Sequence, residues 1–227
     1  MPIYCPTLTT IDLNATKRHI NKVNQPGSFT TDMLTAACLQ AQLLSVPKGV
    51  WQVYAYDQDE HTILANKPLA LTAANLIRQL TGAVEIVIMA ATIGLPLELE
   101  VSNLFMQNQA SSGMLLDAAG TTAITATSNA VYNVISQQAA QAGLTAGNRI
   151  CPGFGDCPLD LQPEVLKLST GSRIDLSLTD TKMLVPRKSV TAIIGLYPYQ
   201  NTLSFPHQQE LNCDKNGHPG CHARKEK

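Results

Sequence analysis

Apolar side chains recur every three or four residues in several parts of the chain, and this period predicts amphipathic helices. The predicted helices cover residues 31–45, 72–80, 96–109, 113–142 and 161–168. Thr30 or Thr31 is expected to cap the first helix, and Thr72 the second, because a threonine hydroxyl accepts from the free amides of a helix start. In the longest helix the stripe consists mainly of small side chains, at Leu116, Ala119, Ala123, Ala126, Ala130 and Val134. Such a stripe allows close packing against a sheet or another helix.

Runs rich in β-branched and aromatic residues predict the strands. They cover residues 50–56, 62–65, 68–71, 84–92, 172–178, 183–185 and 189–196. The strands occur in local groups and do not alternate regularly with helices, which favours an α+β fold with a mainly antiparallel sheet. We therefore predict one domain over residues 31–206, preceded by a polar, turn-rich N-terminal extension over 1–30. A polar tail that contains Cys and His follows over 207–227.

Composition narrows the possible partners. Charged residues make up 15% of the chain, well below the roughly 25% of average proteins. A net charge of −1 provides no basic field for nucleic acid. The longest apolar runs, such as residues 86–91, are too short to cross a bilayer, and the N-terminus lacks the pattern of a signal peptide. We expect a cytoplasmic protein with neither nucleic-acid nor membrane partners, whose six cysteines are thiols or ligands and not a disulfide framework.

Residues 149–162 (RICPGFGDCPLDLQ) carry the most informative motif. The guanidinium of Arg149 can hold a carboxylate by two parallel hydrogen bonds, and the Gly153-Phe-Gly155 turn offers bare backbone to a ligand. Asp156 is predicted to be a helix N-cap with Pro158 in the first turn, so that helix amides point toward the turn. The motif predicts a binding loop for a small molecule with an acid group. A plain turn whose arginine pairs with a surface carboxylate is the alternative.

Three further sets of residues carry potential chemistry. Cys151 and Cys157 flank the loop and are interpreted as small buried hydrophobes, with reactive thiols near a helix start as the alternative. Arg187 and Lys188 precede a strand that places Ser189 on one face, a pattern also typical of a charged corner. The tail could bind zinc through Cys213, His218, Cys221 and His222. Their spacing is not the C-x-x-C of common zinc sites, so a tail without metal is favoured.

Four blocks follow one another in the chain: residues 91–94 (ATIG), 115–120 (LLDAAG), 149–162 and 186–192 (PRKSVTA). In this order and spacing they resemble the activation (reactivation) domain of vitamin B12-dependent methionine synthase, in its stand-alone form. The resemblance covers about residues 45–200. It implies an α+β fold in which a curved antiparallel sheet is flanked by helices and the binding site is shallow.

The resemblance also implies a function. Members of the family bind S-adenosylmethionine and serve the reductive remethylation of inactive cob(II)alamin, in which one electron and the sulfonium methyl restore methylcobalamin. The chain has no Asp-x-His-x-x-Gly cobalamin loop, so cobalamin is expected from a partner, either a methionine synthase core or a related corrinoid-binding methyltransferase. An electron donor protein would supply the electron. The chain would then be the activation component of a methyltransferase in methionine biosynthesis.

The family's site residues can be placed on this sequence. Arg149 matches the arginine that holds the methionine carboxylate, and Cys151, Pro152 and Gly153 match the backbone that lies along the ligand. Phe154 stands where the family has tyrosine, which keeps the ring and loses the hydroxyl. Further candidates for lining the site are Gly155, Asp156, Lys188, Ser189 and Thr125.

Two departures from the family pattern leave other hypotheses open. Thr125 stands near the position where the family often has an acidic residue, which would hold the ligand's ammonium, and Phe154 lacks the tyrosine hydroxyl. The alternative is therefore a corrinoid-protein docking module of the same fold that has lost S-adenosylmethionine-dependent activity. A third hypothesis is a metal or redox protein that uses the tail cysteines.

Overall fold

The computed structural model describes residues 2–21 and 29–199. Its α-helices are α1 (Leu13–Asn21), α2 (Thr31–Leu44), α3 (Ala74–Gln79), α4 (Pro96–Met106), α5 (Ala110–Gln141) and α6 (Gln162–Leu168). Its strands are β1 (Lys48–Asp57), β2 (Thr62–Leu64), β3 (Leu69–Ala70), β4 (Glu85–Thr92), β5 (Leu144–Ala146), β6 (Ser177–Leu178), β7 (Leu184–Val185) and β8 (Ser189–Pro198). Two short 3₁₀ helices cover Leu159–Leu161 and Gly171–Ile174.

A six-stranded antiparallel sheet forms the centre of the fold, in the order β3-β2-β1-β4-β8-β5. The central strand β4 pairs with β1 through Val50 and Ala90 and with β8 through Ala90 and Thr191. Every residue of β4 except Glu85 is buried, because neighbouring strands and both covering layers enclose it. The predicted α+β fold with an antiparallel sheet flanked by helices is confirmed.

The two faces of the sheet carry separate parts of the core. On one face, Met89 and Ala192 pack with Val131 and Ile135 of α5. On the other face, the core contains Ile86, Ile88 and Ile193 of the sheet, together with Leu76 of α3 and Val165 of α6. Burying each of the larger side chains among them contributes about 1.5–3 kcal/mol. The sheet therefore separates α5 on one face from α3 and α6 on the other.

The N-terminal segment contains a helix that the sequence pattern did not predict. Asp12 accepts hydrogen bonds from the amides of Asn14 and Ala15 at the start of α1. The helix packs on α5, where the hydroxyls of Thr16 and Thr122 lie 3.0 Å apart. The aspartate at position 12 is a cap signal that could have indicated this helix. The division of the chain at residues 30 and 206 stays a prediction.

The strand predicted over residues 172–178 is mostly wrong. Residues Gly171–Ile174 form a 3₁₀ helix, flanked by left-handed residues at Thr170 (φ 59°) and Asp175 (φ 64°). Ile174 and Leu176 are buried next to Val50, so the alternating apolar pattern comes from a turn that packs on the sheet and not from a strand. Only Ser177–Leu178 is a strand, paired with β7.

Two smaller expectations also need correction. Thr72 does not cap α3, because that helix begins two residues later, with Ala73 at the cap position and no side-chain cap bond. Strand β5 follows α5 directly and was not predicted. It pairs with the far end of β8, where Leu144 lies opposite Pro198.

Candidate functional site

A β-bulge positions Arg149 at the edge of the sheet. Ala146 pairs with Leu196 of β8, whereas Ile150 pairs with Ile193. Four steps along the edge segment (146 to 150) therefore match three steps along β8 (196 to 193), so the edge holds one extra residue. Such bulges locally bend a strand and redirect its side chains. The bulge overlaps the start of residues 149–162, the segment that was predicted to bind a ligand.

The guanidinium of Arg149 is held by α5. It donates from Nη1 to Ser128 Oγ at 2.8 Å and from Nη2 to Asn129 Oδ1 at 2.7 Å. Its central carbon lies 5.1 Å from the centre of the Tyr132 ring. Burial lowers the pKa of this guanidinium, although an arginine remains charged at neutral pH.

The partners of Arg149 leave its charge uncompensated. Within the part of the chain that the structure describes, no carboxylate forms an ion pair with Arg149. The alternative in which Arg149 pairs with a surface carboxylate is therefore not seen among residues 2–21 and 29–199. A half-buried cation with neutral partners can bind an anion strongly, because part of its hydration has already been lost.

The glycine loop, which we define as residues 151–157, closes on itself by backbone hydrogen bonds. Gly153 N donates to Cys157 O at 2.9 Å, and Phe154 N donates to Cys151 O at 3.1 Å. Gly153 (φ 82°) and Gly155 (φ 55°) adopt left-handed conformations that favour glycine. Phe154 stands at the tip of the loop with 61% of its surface exposed.

The two cysteines at the ends of the loop are buried. Burial raises the pKa of the Cys151 and Cys157 thiols to about 11. Both side chains are therefore protonated near neutral pH and pack as small hydrophobes in opposite layers of the core. A reactive-thiol role for them is not supported.

Asp156 does not cap a helix, which corrects the sequence prediction. The first helical turn after the loop begins at Leu159, with Pro158 as the extended residue before it and no side-chain cap bond. Cys157 N donates back to Phe154 O, so the chain at Asp156 is still part of the loop turn. The expected contribution of a helix N-terminus at this position is therefore lost, and Asp156 is an exposed loop residue.

Lys188 lies at the other end of the same flank of α5. Its ammonium is 2.8 Å from Asp117 Oδ1 and donates to Thr121 Oγ1 at 2.8 Å. Asp117, Thr121, Ser128 and Tyr132 are spaced by four and seven residues, which places them along one face of a helix. We call the face of α5 formed by Asp117, Thr121, Ser128 and Tyr132 the polar strip. Arg149 and Lys188 lie at its two ends and do not contact each other.

Two other predicted lining residues have partners within the fold. Ser189 Oγ donates to Thr92 Oγ1 at 2.8 Å, next to the start of β8. Thr125 Oγ1 donates to the carbonyl of Thr121 at 2.9 Å, so its hydroxyl hydrogen is committed to its own helix. Between these positions and the bulge, residues 189–192 of β8 have no strand partner on their outer edge among the described residues.

A charged cleft of about 180 Å³ opens at the Lys188 end of the strip. It is lined by Glu98, Val101, Asp117, Arg187 and Lys188. Both carboxylate oxygens of Glu98 accept from Arg187, one from Nε at 3.0 Å and the other from the backbone N at 2.8 Å. Asp117 belongs to a block that the sequence singled out, but no role was predicted for it or for Glu98.

Two further sequence predictions concern metal and membranes. Cys213, His218, Cys221 and His222 lie outside the described residues, so the possible zinc site in the tail stays untested. Within residues 2–21 and 29–199, no group of three or more His, Cys, Asp or Glu side chains could hold a metal ion. None of the helices in that part of the chain has the length and apolar character needed to cross a membrane.

Comparisons with known proteins bear on the fold. No protein-family model and no curated protein matches the sequence. A crystal structure described as the MetH reactivation domain bound to AdoHcy is similar to this chain, with a TM-score of 0.51 and 14% sequence identity. The match covers 84% of this chain and 67% of the other. The chain therefore has the fold of the MetH reactivation domain, as the four sequence blocks implied.

Proposed function

We propose that this protein binds S-adenosylmethionine and serves the reductive remethylation of cobalamin carried by a corrinoid partner. The observation that carries the proposal is Arg149, a half-buried cation with neutral partners beside a loop of bare backbone. Arg149 occurs in a fold shared with the MetH reactivation domain, whose crystal structure has AdoHcy bound, the demethylated form of the proposed ligand. The partner would be a methionine synthase core or a related corrinoid-binding methyltransferase.

Arg149 retains the donors that a carboxylate needs. A guanidinium has five N–H donors, and two of them point to Ser128 and Asn129. Three remain, enough for two parallel hydrogen bonds to the methionine carboxylate. The backbone of Cys151, Pro152 and Gly153 would then lie along the ligand, with the exposed ring of Phe154 available to cover it.

The protein's contribution to the reaction would be binding and orientation. A donor protein supplies one electron to the partner's cobalamin, and the sulfonium methyl is then transferred to it. The electron pair of the broken carbon–sulfur bond stays on sulfur, so S-adenosylhomocysteine leaves. The thiols of Cys151 and Cys157 would not compete for the methyl group, because a pKa of about 11 keeps them protonated.

A docking module without transfer activity is the second candidate. Thr125 favours it, because its hydroxyl donates to Thr121 O and provides no negative charge for the ligand's ammonium. Phe154 also lacks a hydroxyl at the loop tip. On this view the protein binds a corrinoid partner but does not hold S-adenosylmethionine.

Calorimetric titration of the full chain with S-adenosylmethionine tests the proposal. We expect binding by the wild type and a loss of at least tenfold in Arg149→Ala, since a charge-assisted bidentate contact is removed. Arg78→Ala is the matched control, because Arg78 is an exposed arginine on α3, in the layer on the opposite face of the sheet. No binding by the wild type near millimolar ligand would refute the proposal.

A second measurement separates the two candidate functions. The protein is mixed with a cob(II)alamin-loaded partner, S-adenosylmethionine and a reductant, and methylcobalamin is followed by its absorbance. The remethylation proposal predicts methylcobalamin, whereas the docking module predicts a complex without it.

A further inference from the structure

We propose that the charged cleft at Asp117 binds the ribose hydroxyls of the same ligand. The inference rests on the proposed function, because it assigns the nucleoside half of S-adenosylmethionine to a second anchor point. The cleft is lined by Glu98, Val101, Asp117, Arg187 and Lys188, between α4, α5 and the segment before β8.

Asp117 has an unused hydrogen-bonding position. Its Oδ1 lies 2.8 Å from Lys188 Nζ, whereas no described residue donates to its Oδ2. The side chain is 46% exposed, and Lys188 beside it is only 17% exposed. Glu98, in contrast, uses both oxygens on Arg187. Asp117 is therefore the carboxylate of the cleft that is free to accept from a ligand.

The chemistry of a carboxylate fits a vicinal diol. Two adjacent hydroxyls are both donors, and an ionised carboxylate accepts without donating. Dinucleotide-binding folds use an acidic side chain in the same way to hold ribose hydroxyls. Lys188 keeps Asp117 in place, because it also donates to Thr121 one turn further along α5.

The spacing of the two anchors along α5 is of the same order as the length of the ligand, since Ser128 accepts from Arg149. The eleven residues from Asp117 to Ser128 rise roughly 16 Å along α5. From its carboxylate carbon to the ribose O3′, S-adenosylmethionine has about eight bonds of about 1.5 Å, which span roughly 10 Å when extended. A hydrogen bond of about 2.8 Å at each end extends this reach to roughly 16 Å. A fully extended ligand therefore has about the length needed to connect Arg149 to Asp117.

The flank of α5 between the anchors is polar. Thr121, Thr125 and Ser128 line this flank of α5, and residues 189–192 of β8 show no strand partner on the facing edge in the described part of the chain. The cleft itself, at about 180 Å³, is smaller than the roughly 300 Å³ minimum of a pocket for a whole ligand. It is suited to one end of an extended ligand whose middle lies on the surface.

Titration of the full chain with S-adenosylmethionine and with adenosine tests the inference. We compare the wild type, Asp117→Asn and Asp175→Asn. Asparagine keeps the shape of the side chain and can still accept from Lys188, but it no longer offers a negative charge to the diol. Asp175 is the matched control, since it also lies 2.8 Å from a lysine, Lys48, and its neighbours Ile174 and Leu176 pack on the opposite face of the sheet. Thermal unfolding verifies that both variants fold.

We expect Asp117→Asn to bind both S-adenosylmethionine and adenosine at least tenfold more weakly, and Asp175→Asn to match the wild type. If Asp117→Asn binds S-adenosylmethionine as tightly as the wild type, the ribose assignment is wrong while the proposed function stands. If the wild type does not bind S-adenosylmethionine, both the proposed function and this inference are overturned.

Discussion

The guanidinium of Arg149 lies over the ring of Tyr132, 5.1 Å from its centre, and the same tyrosine holds the backbone that carries the arginine. The Tyr132 hydroxyl donates to the carbonyl of Gly147 at 2.9 Å, inside the bulge. One side chain of α5 therefore stabilises both the charge and the backbone position of Arg149. A contact of this type contributes about 0.5–2 kcal/mol through the ring alone.

Removing the Tyr132 hydroxyl should loosen the bulge and leave the ring contact intact. For Tyr132→Phe we expect the free energy of unfolding to fall by about 1 kcal/mol, because the Gly147 carbonyl loses its donor. Affinity for S-adenosylmethionine should fall several-fold. Urea denaturation and calorimetry measure the two effects. Tyr4→Phe is the control, since the structure shows no hydrogen bond from that hydroxyl to a described residue. Equal stability of both variants would contradict this role for Tyr132.

A carboxylate at position 129 should form an ion pair with Arg149 and so compete with the ligand. Asn129 Oδ1 accepts from Nη2 at 2.7 Å, so Asn129→Asp would place a carboxylate within ion-pairing distance. This internal carboxylate would compete with the ligand's carboxylate, and we expect at least tenfold weaker binding of S-adenosylmethionine with unchanged or higher thermal stability. Asn133→Asp adds the same charge at an exposed position one turn further along α5. If both variants weaken ligand binding equally, the cause is the added negative charge in general and not an ion pair with Arg149, which contradicts the prediction.

The buried thiols should resist alkylation. Burial disfavours the thiolate and raises the pKa of Cys151 and Cys157 to about 11, so only about one thiol in a thousand is ionised at pH 8. Exposed Cys5 should therefore react with iodoacetamide at least tenfold faster than either of them. Peptide mapping by mass spectrometry gives the rates. Fast labelling of Cys151 or Cys157 in the folded protein would contradict their assignment as packed, protonated side chains.

Ionisation of these two thiols at high pH should lower the stability of the folded protein. Both groups hold their protons more tightly in the folded state, because their folded pKa of about 11 lies above the ordinary value of 9.0. Their contribution to stability is therefore complete below pH 9 and is lost as the pH rises toward 11. Urea denaturation in the presence of reductant, at pH 8 and pH 10.5, should show lower stability at the higher pH. The decrease should be smaller in Cys151→Ala.

Gly49 permits the close approach of α5 to the sheet. A Cβ at this position would lie 2.3 Å from Val131 Cγ2, and Val131 is fully buried. Gly49→Ala should therefore lower the free energy of unfolding by about 1–3 kcal/mol through overpacking. The double variant with Val131→Ala relieves the clash, so the two effects should not add. Additive losses in urea denaturation would rule out this contact as the cause.

Local sequence signals predicted most of the regular elements. The helix predicted over residues 31–45 begins at Thr31, where Thr30 caps Met33 N at 3.3 Å, and the strand predicted over 84–92 is β4. These elements were predictable because their apolar period, length and cap residues agree with one another. The strand predicted over 172–178 was not, because alternating burial at Ile174 and Leu176 arises equally well from a turn packed on the sheet.

The candidate site, too, was only partly predictable from the sequence. Arg149, Gly153 and the order of the four blocks were visible in the sequence and predicted a fold that the structure has. The helix cap at Asp156 was wrong, because the loop closes through Cys157 N and Phe154 O before any helix begins. The one-residue bulge and the neutral contacts of Arg149 with Ser128 and Asn129 depend on pairing between distant segments.

The sequence by itself thus determined most of the helices and strands, the α+β class and the residue types of the glycine loop, because these follow from local periodicity and backbone preference. The tertiary structure decided that Arg149 has no carboxylate partner among the described residues. It also decided that Asp117 and Lys188 lie on the same flank of α5 as Arg149. Both outcomes depend on contacts between residues far apart in the chain, because Asp117 and Ser128 of α5 meet Lys188 and Arg149 only when the chain is folded.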